Sequence, residues 1–375
     1  MNPFFYGGAV GGNYFVDREK EIATLLADLK QQNKIFLISP RRYGKTSLIF
    51  KIAKLLKKEN FLIAYLDLYK VTSLEQFASL YAKALAMATE TKIEKVIKFI
   101  QSIISSLRPK ITISPEGEIS IRMEVEPEKK DVFSLLEKLY NAPEEIALKR
   151  KKKFVLIFDE FQEILSFGGE GIEKSMRADI QYHKNVGYVF SGSKKSLMID
   201  LVSNSSRAFY KMGKVFFLNK IPHDKFFHFI KNGFVKTRFK ISKAAVSQIL
   251  SVTSEIPYYV QYLAHEVWNN CIEEKKVDEE RVLKTACEIV TSQSPIFLTI
   301  WDSLSLSQRR VLQAIASSGG ENIFSHEFMR GYHLGPIGSV QTSIKMLLKK
   351  GILEKENKTL NFSDIWFKEW VKVTL

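Results

Sequence analysis

The sequence predicts an α/β fold: a parallel sheet flanked by helices, followed by a helical segment and a small C-terminal unit. Three observations predict it. Residues 34–49, KIFLISPRRYGKTSLI, read as a buried strand, a loop ending in Gly44-Lys45-Thr46, and an amphipathic helix. Residues 153–162, KFVLIFDEFQ, read as a second apolar strand ending in Asp159 and Glu160. Such an unbroken run suits a strand covered on both faces, as in a parallel sheet. Residues from Ser307 to Ser363 read as three helices and a strand–turn–strand.

The elements follow in order. After the lysine-rich end of the first helix, Phe61–Leu68 (FLIAYLDL) reads as the next strand, and Ser73 to about Leu107 is helical in pattern. Ile111 to Val125 alternates around Pro115-Glu116-Gly117, so a β-hairpin is inserted at about residues 108–130. Asp131–Lys149 is helical, Val186–Ser191 is the strand after the acidic one, and Lys214–Ile221 is the fifth. Pro222 marks a change of character, with helices expected over Lys225–Asn232, Lys243–Thr253, Pro257–Glu273 and Asp278–Ser292. The expected domains are 1–221, 222–293 and 294–375.

The strand–loop–helix at residues 34–49 has the architecture of a phosphate-binding P-loop. Loop N–H groups wrap a triphosphate and the helix dipole faces its charge. Lys45 supplies a cation for the β and γ oxygens, Thr46 a hydroxyl for Mg²⁺, and Gly44 lets the backbone approach closely. One position departs from G-x-x-x-x-G-K-[ST]: Ser39 replaces the first glycine. Carboxylates at the C-terminal end of a parallel strand lie in the crevice where such sheets bind ligands. Asp159 is placed to hold the Mg²⁺ shell, and Glu160 to orient or deprotonate the attacking water.

With 45% apolar and 26% charged residues, the chain is ordinary globular material. No apolar run approaches the ~18–20 residues that span a bilayer. MNPFFYGGAVGGNYF lacks the features of a signal peptide, so the cytoplasm is the expected compartment. Cys271 and Cys287 are expected to be reduced core residues. The net charge of +15 raises nucleic acid as a partner, but the first 235 residues hold +12 of it, where part serves phosphates. Lys149-Arg150-Lys151-Lys152-Lys153 also reads as a solvated approach to a strand.

Phe15-Val16-Asp17-Arg18-Glu19, Pro40-Arg41-Arg42-Tyr43-Gly44-Lys45-Thr46-Ser47, Asp159-Glu160-Phe161-Gln162 and Ser191-Gly192-Ser193 follow in this order. Together they resemble the archaeal-type ATPase family, in the STAND group of P-loop NTPases and related to origin-recognition AAA+ proteins. The similarity covers nearly the whole chain. It implies an ASCE/AAA+-like P-loop NTPase core, a helical lid and a C-terminal winged helix, with ATP or ADP and Mg²⁺ between core and lid. The loop Ser39–Ser47 would hold the nucleotide. Phe15–Glu19 would line the adenine pocket, with Arg18 tying the N-terminal arm to the core; a helix cap at Asp17 is the alternative. Ser191 or Ser193 would act as a sensor of the γ-phosphate, unless the pair merely forms a turn. Arg207 stands where such ATPases carry an arginine finger acting across a homo-oligomer, or else pairs locally. Glu255-Ile256-Pro257 replaces the Gly-x-Pro of related lids, so Pro257 is retained near the nucleotide without its glycine.

In the C-terminal unit, Ser307–Ala316 is an amphipathic helix and Ser325–Arg330 a short one. Ser339–Lys349 places Val340, Ile344, Leu347 and Leu348 on one face. Gly351 ends that helix, and Ile352–Glu356 with Thr359–Ser363 form the wing. If this winged helix meets DNA, Gln341, Thr342 and Lys345 face the groove and Lys349, Lys350 and Lys358 the phosphates. The alternative is a protein partner. The expected function is an ATP-binding, slowly hydrolysing switch; an ATP-gated DNA-binding protein and a degenerate nucleotide-bound scaffold are the alternatives.

Overall fold

The computed structural model describes residues 1–89, 107–113, 119–125, 132–356 and 359–373. They divide into two compact units: Phe5–Phe226 with Ile256–Tyr258, and Met1–Phe4 with Phe227–Glu255 and Tyr259–Leu375.

Along the first unit run strands β1 (Lys34–Ile38), β2 (Leu62–Asp67), β3 (Leu107–Ile113), β4 (Ile119–Val125), β5 (Phe154–Asp159), β6 (Val186–Gly192) and β7 (Lys214–Phe217). Five form a parallel sheet in the order β2-β5-β6-β1-β7, so β6 lies between the P-loop strand and the acidic strand. β3 and β4 pair as the inserted antiparallel hairpin. Its expected turn at Pro115-Glu116-Gly117 lies outside the described residues, as does the expected helix beyond Thr89.

Successive strand residues point to opposite faces. Phe36, Phe158 and Phe190 share one core with Tyr81, Leu85 and Leu136. Ile35, Leu37, Val155, Ile157 and Val189 share the other with Leu25, Leu48 and Ile52, from helices α1 (Glu19–Lys30) and α2 (Lys45–Lys58). Burial on both faces explains why β5 reads as an unbroken apolar run, and β6 is buried along its whole length as well. Phe190 stacks on Phe36 and Phe158, with ring centroids 4.8 and 5.6 Å apart, so β6 interlocks with both of its neighbours, β1 and β5. Two helices between β5 and β6, Ile164–Phe167 and Gly169–Ile180, escaped the sequence reading. Gly168, Gly169 and Gly171 give that stretch the look of a loop.

The second unit carries the expected helical segment, with helices ending at Lys236, Val252, Asn270 and Ser292. Ser242 and Asp278 cap two of them, accepting from Ala245 N at 2.8 Å and Arg281 N at 3.1 Å. The winged-helix pattern follows in Leu306–Ser318, His326–Gly331, Ile337–Lys349 and an antiparallel pair, Leu353–Glu356 with Thr359–Phe362. Its first helix starts before Ser307, through a capping box between Ser305 and Gln308. Gly351 adopts φ 70° after Lys350, the left-handed conformation that a glycine takes at least cost. Two flanking helices were not expected, Ser294–Asp302 and Ile365–Val373. They weld this part to the helical segment. Trp366 packs edge-on against Tyr259 at 6.0 Å, and Trp370 Nε1 donates to Ser294 Oγ at 2.6 Å.

Phe4 is buried in the same unit, with ring centroids 4.9 Å from Phe234 and 5.9 Å from Phe229. The cysteines divide: Cys271 is buried, but Cys287 is exposed, so only one is a core residue. Helix Glu279–Ser292 turns Cys287 away from the Val282–Ala286–Ile289 stripe it buries.

Candidate nucleotide and metal site

The loop after β1 is built by close backbone packing. Ser39 is fully buried and its N–H donates to Gly192 O of β6 at 3.2 Å. Ser39 is not among the residues with positive φ, which explains why the usual glycine is dispensable there. Arg42 and Gly44 do take positive φ, 70° and 84°. Pro40 is half-buried and Arg41 exposed, while Tyr43 is buried with its carbonyl 3.4 Å from Arg18 Nη2. Ser47 Oγ accepts from Val10 N at 2.9 Å, laying the N-terminal segment over the start of α2.

Beyond the loop, six expected residues converge in one hydrogen-bonded cluster. Lys45 Nζ lies 2.6 Å from Asp159 Oδ1 and 3.1 Å from Glu160 Oε1. Thr46 Oγ1 donates to Asp159 Oδ2 at 3.2 Å, Ser191 Oγ to Asp159 Oδ1 at 2.8 Å, and Ser193 Oγ to Glu160 Oε2 at 2.6 Å. Each serine therefore has its own carboxylate. Glu160 takes φ 51°, ψ 45°, which turns the chain sharply at the strand end. Gly192 permits the neighbouring approach, since a Cβ there would lie 2.4 Å from Met198 Cγ and 2.5 Å from Gln162 Oε1.

Burial pushes the Asp159 carboxyl up, but the Lys45 ammonium and hydrogen bonds from Lys45, Ser191 and Tyr65 outweigh it. Asp159 therefore sits below the usual aspartate range. Glu160 follows the same pattern, its burial outweighed by Lys45, Ser193 and Gln162. Both are ionised at neutral pH. One lysine thus faces two carboxylates beside a pocket of ≈ 360 Å³ lined by Arg41, Thr46, Tyr65, Asp67, Tyr69, Asp159 and Glu160.

Other expected residues lie around this cluster. Arg18 is buried, donates to Asn219 O at 2.7 Å and pairs with Glu21 at 2.7 Å. The N-cap of α1 is Arg18 itself, with no side-chain cap, so Asp17 does not cap that helix. Phe15 packs on the α1–α2 core, with Lys51 Nζ 5.8 Å above its ring. Pro257 opens a helix, and next to it Tyr258 N donates to Arg42 O at 3.2 Å, with the Arg42 guanidinium 5.4 Å over the Tyr258 ring. Glu255 takes φ 58°, the conformation a glycine would favour at that position.

Arg207 does not join the cluster. Its guanidinium pairs with Glu173 at 2.5 Å and lies 3.6 Å from Asp200, with only 15% of the side chain exposed. In the second unit, Gln341, Thr342, Lys345 and Lys349 are exposed on one helix, and Lys350 Nζ donates to Ser303 O at 3.0 Å. Lys358 lies outside the described residues.

The sequence reading missed Tyr65, Asp67 and Tyr69, and gave Gln162 no role. The sequence holds only part of the signal: the period of two puts Tyr65 and Asp67 on one face of β2, while the pairing of β2 with the acidic strand is given by the structure alone.

Residues 15–263 match the family of ATPase domains found predominantly in Archaea, and residues 295–373 match a probable winged helix domain. The chain belongs to that ATPase family. A Walker-type ATPase of Pyrococcus abyssi shares the fold at a TM-score of 0.64 and 18% identity, over 96% of each chain. The ORC2 protein of Aeropyrum pernix, solved as ADPNP–ADP complexes, follows at 0.53 and 13%, over 97% of each chain. The ORC1 protein of the same organism in complex with DNA gives 0.50 and 14%, over 96% of this chain and 93% of that one. At these identities the likeness is one of fold. A search of the curated proteins finds no match.

Proposed function

We propose that the chain binds ATP with Mg²⁺ at this cluster and hydrolyses it slowly, as a STAND-type switch with the winged helix as its output. The observation that carries the reading is the convergence of Lys45, Thr46, Asp159, Glu160, Ser191 and Ser193 at the C-terminal ends of β1, β5 and β6. Magnesium prefers hard oxygens and is held by one or two protein groups plus substrate phosphates and water. Thr46 and Asp159 fit that demand. The metal would supply charge neutralisation at the phosphates.

On nucleotide binding, Lys45 exchanges its carboxylate partners for phosphate oxygens, releasing Glu160 to face water. Ser191 keeps Asp159 in place, and Ser193 holds one oxygen of Glu160. Phosphate release measured against calorimetric ATP affinity tests the proposal. Undetectable binding in the presence of Mg²⁺ would defeat it, and tight binding without turnover would leave the scaffold alternative.

A second reading, ATP-gated DNA binding, is favoured by the exposed row Gln341, Thr342, Lys345 and Lys349 on a helix of groove-fitting size. Duplex binding that weakens steeply with added salt would support it.

A further inference from the structure

Asp159 is bracketed from both sides. Its Oδ1 accepts from Lys45, Ser191 and its neighbour's N–H, and its Oδ2 accepts from Thr46 and from the Tyr65 hydroxyl at 3.0 Å. Lys45 and Thr46 are the groups that turn to phosphate and metal when nucleotide binds. The side-chain donors left on the carboxylate are then Ser191 and Tyr65, one for each oxygen. They arrive from β6 and β2, the strands on either side of β5. Registry makes this possible. Tyr65 pairs with Ile157 and Asp67 with Asp159, so Tyr65 lies on the carboxylate's face, one pleat repeat away. Its ring is braced edge-on by Phe50 at 5.1 Å, and its side chain lines the pocket. Asp67 does not compete, because its Oδ1 accepts from Tyr69 N at 3.0 Å and caps the turn Leu68–Lys70.

We infer that Tyr65 is a positioning residue for the magnesium site: its hydroxyl fixes Asp159 Oδ2 so that the carboxylate meets the metal in one orientation. The inference rests on reading the cluster as a Mg²⁺–nucleotide site. Groups that orient a metal's carboxylate are worth about 10- to 100-fold in metal affinity.

The test is Tyr65→Phe in the full chain, which keeps the ring and its packing against Phe50 and removes only the hydroxyl. ADP affinity is measured by calorimetry with excess Mg²⁺ and again with EDTA, for wild type and variant. The expected result is an unchanged affinity in EDTA and a magnesium-dependent gain that shrinks about tenfold. An undiminished gain would overturn the inference. So would an equal loss in both buffers, which is the mark of a packing role. A wild-type chain that binds no nucleotide would overturn the site reading itself, an outcome distinct from normal binding that Tyr65→Phe leaves untouched.

Discussion

Two carboxylates and one ammonium set the chemistry of individual residues here, and each can be removed with a distinct consequence. Glu160→Gln is nearly isosteric and keeps one acceptor oxygen, enough for the Lys45 contact, while the amide NH2 takes the place of the oxygen that faced Ser193 and can donate to its hydroxyl. It is expected to keep ATP affinity and lose about 10²- to 10⁴-fold in turnover; a parental rate of phosphate release would remove Glu160 from the chemistry. Lys45→Ala is expected to abolish ATP binding by calorimetry. It has a second effect, because Lys45 is what holds both carboxyls low. In the wild-type fold their pKa values lie below the ordinary 3.8 and 4.5, so the ion pairs contribute stability above those values that is lost as pH falls through the lowered ones. Without the ammonium, burial pushes the same carboxyls up. Acid unfolding of Lys45→Ala, followed by circular dichroism, is therefore expected at higher pH than wild type.

At the scale of elements, β6 brings the serines that bond Asp159 and Glu160 to one end and a buried histidine contact to the other. His183 Nδ1 lies 2.6 Å from the Tyr188 hydroxyl, and burial, aided by Lys34 and opposed by Glu144, pushes its pKa from 6.5 down to about 4. The unfolded chain thus binds a proton across that range that the folded chain does not. Stability is fully present above pH 6.5 and declines as the pH drops toward 4; denaturant midpoints are expected to show this slope, and His183→Gln to flatten it. The strands and the P-loop were legible because covered strands and phosphate loops restrict residue type tightly. The bracket on Asp159 was not, since Tyr65 inside FLIAYLDL looks like any strand aromatic until β2 is known to adjoin β5. Arg207 shows the same limit. Its partner Glu173 lies in a helix whose opening glycines read as loop, so a buried ion pair was invisible. Arg207→Ala leaves Glu173 without its cation, and a loss of about 3 kcal/mol is expected from chemical denaturation.

For the whole molecule, the salt dependence of binding distinguishes the partners open to the winged helix. If it meets a duplex, the slope of log affinity against log salt is expected to fall by about one unit in Lys349→Ala, a lysine of the phosphate-facing set. No duplex binding at low salt would assign the helix to a protein partner. The path of the chain has its own consequence, set by Phe4. The ring fills a slot beside Gly233, where a Cβ would lie 2.7 Å from Phe4 Cζ, and Asn2 Nδ2 donates to His265 O at 3.1 Å. The segment that opens the chain completes a unit whose other residues begin at Phe227, and Ile256–Tyr258 return to the unit that the chain had left. During synthesis, then, the leading residues emerge roughly two hundred positions before the surface they occupy exists, and the sheet unit waits longer still for its last three residues. Neither half can be finished on the ribosome before the other has been started, and a nascent chain halted near residue 226 would carry an unburied Phe4, with its sheet unit still lacking Ile256–Tyr258, into the reach of chaperones.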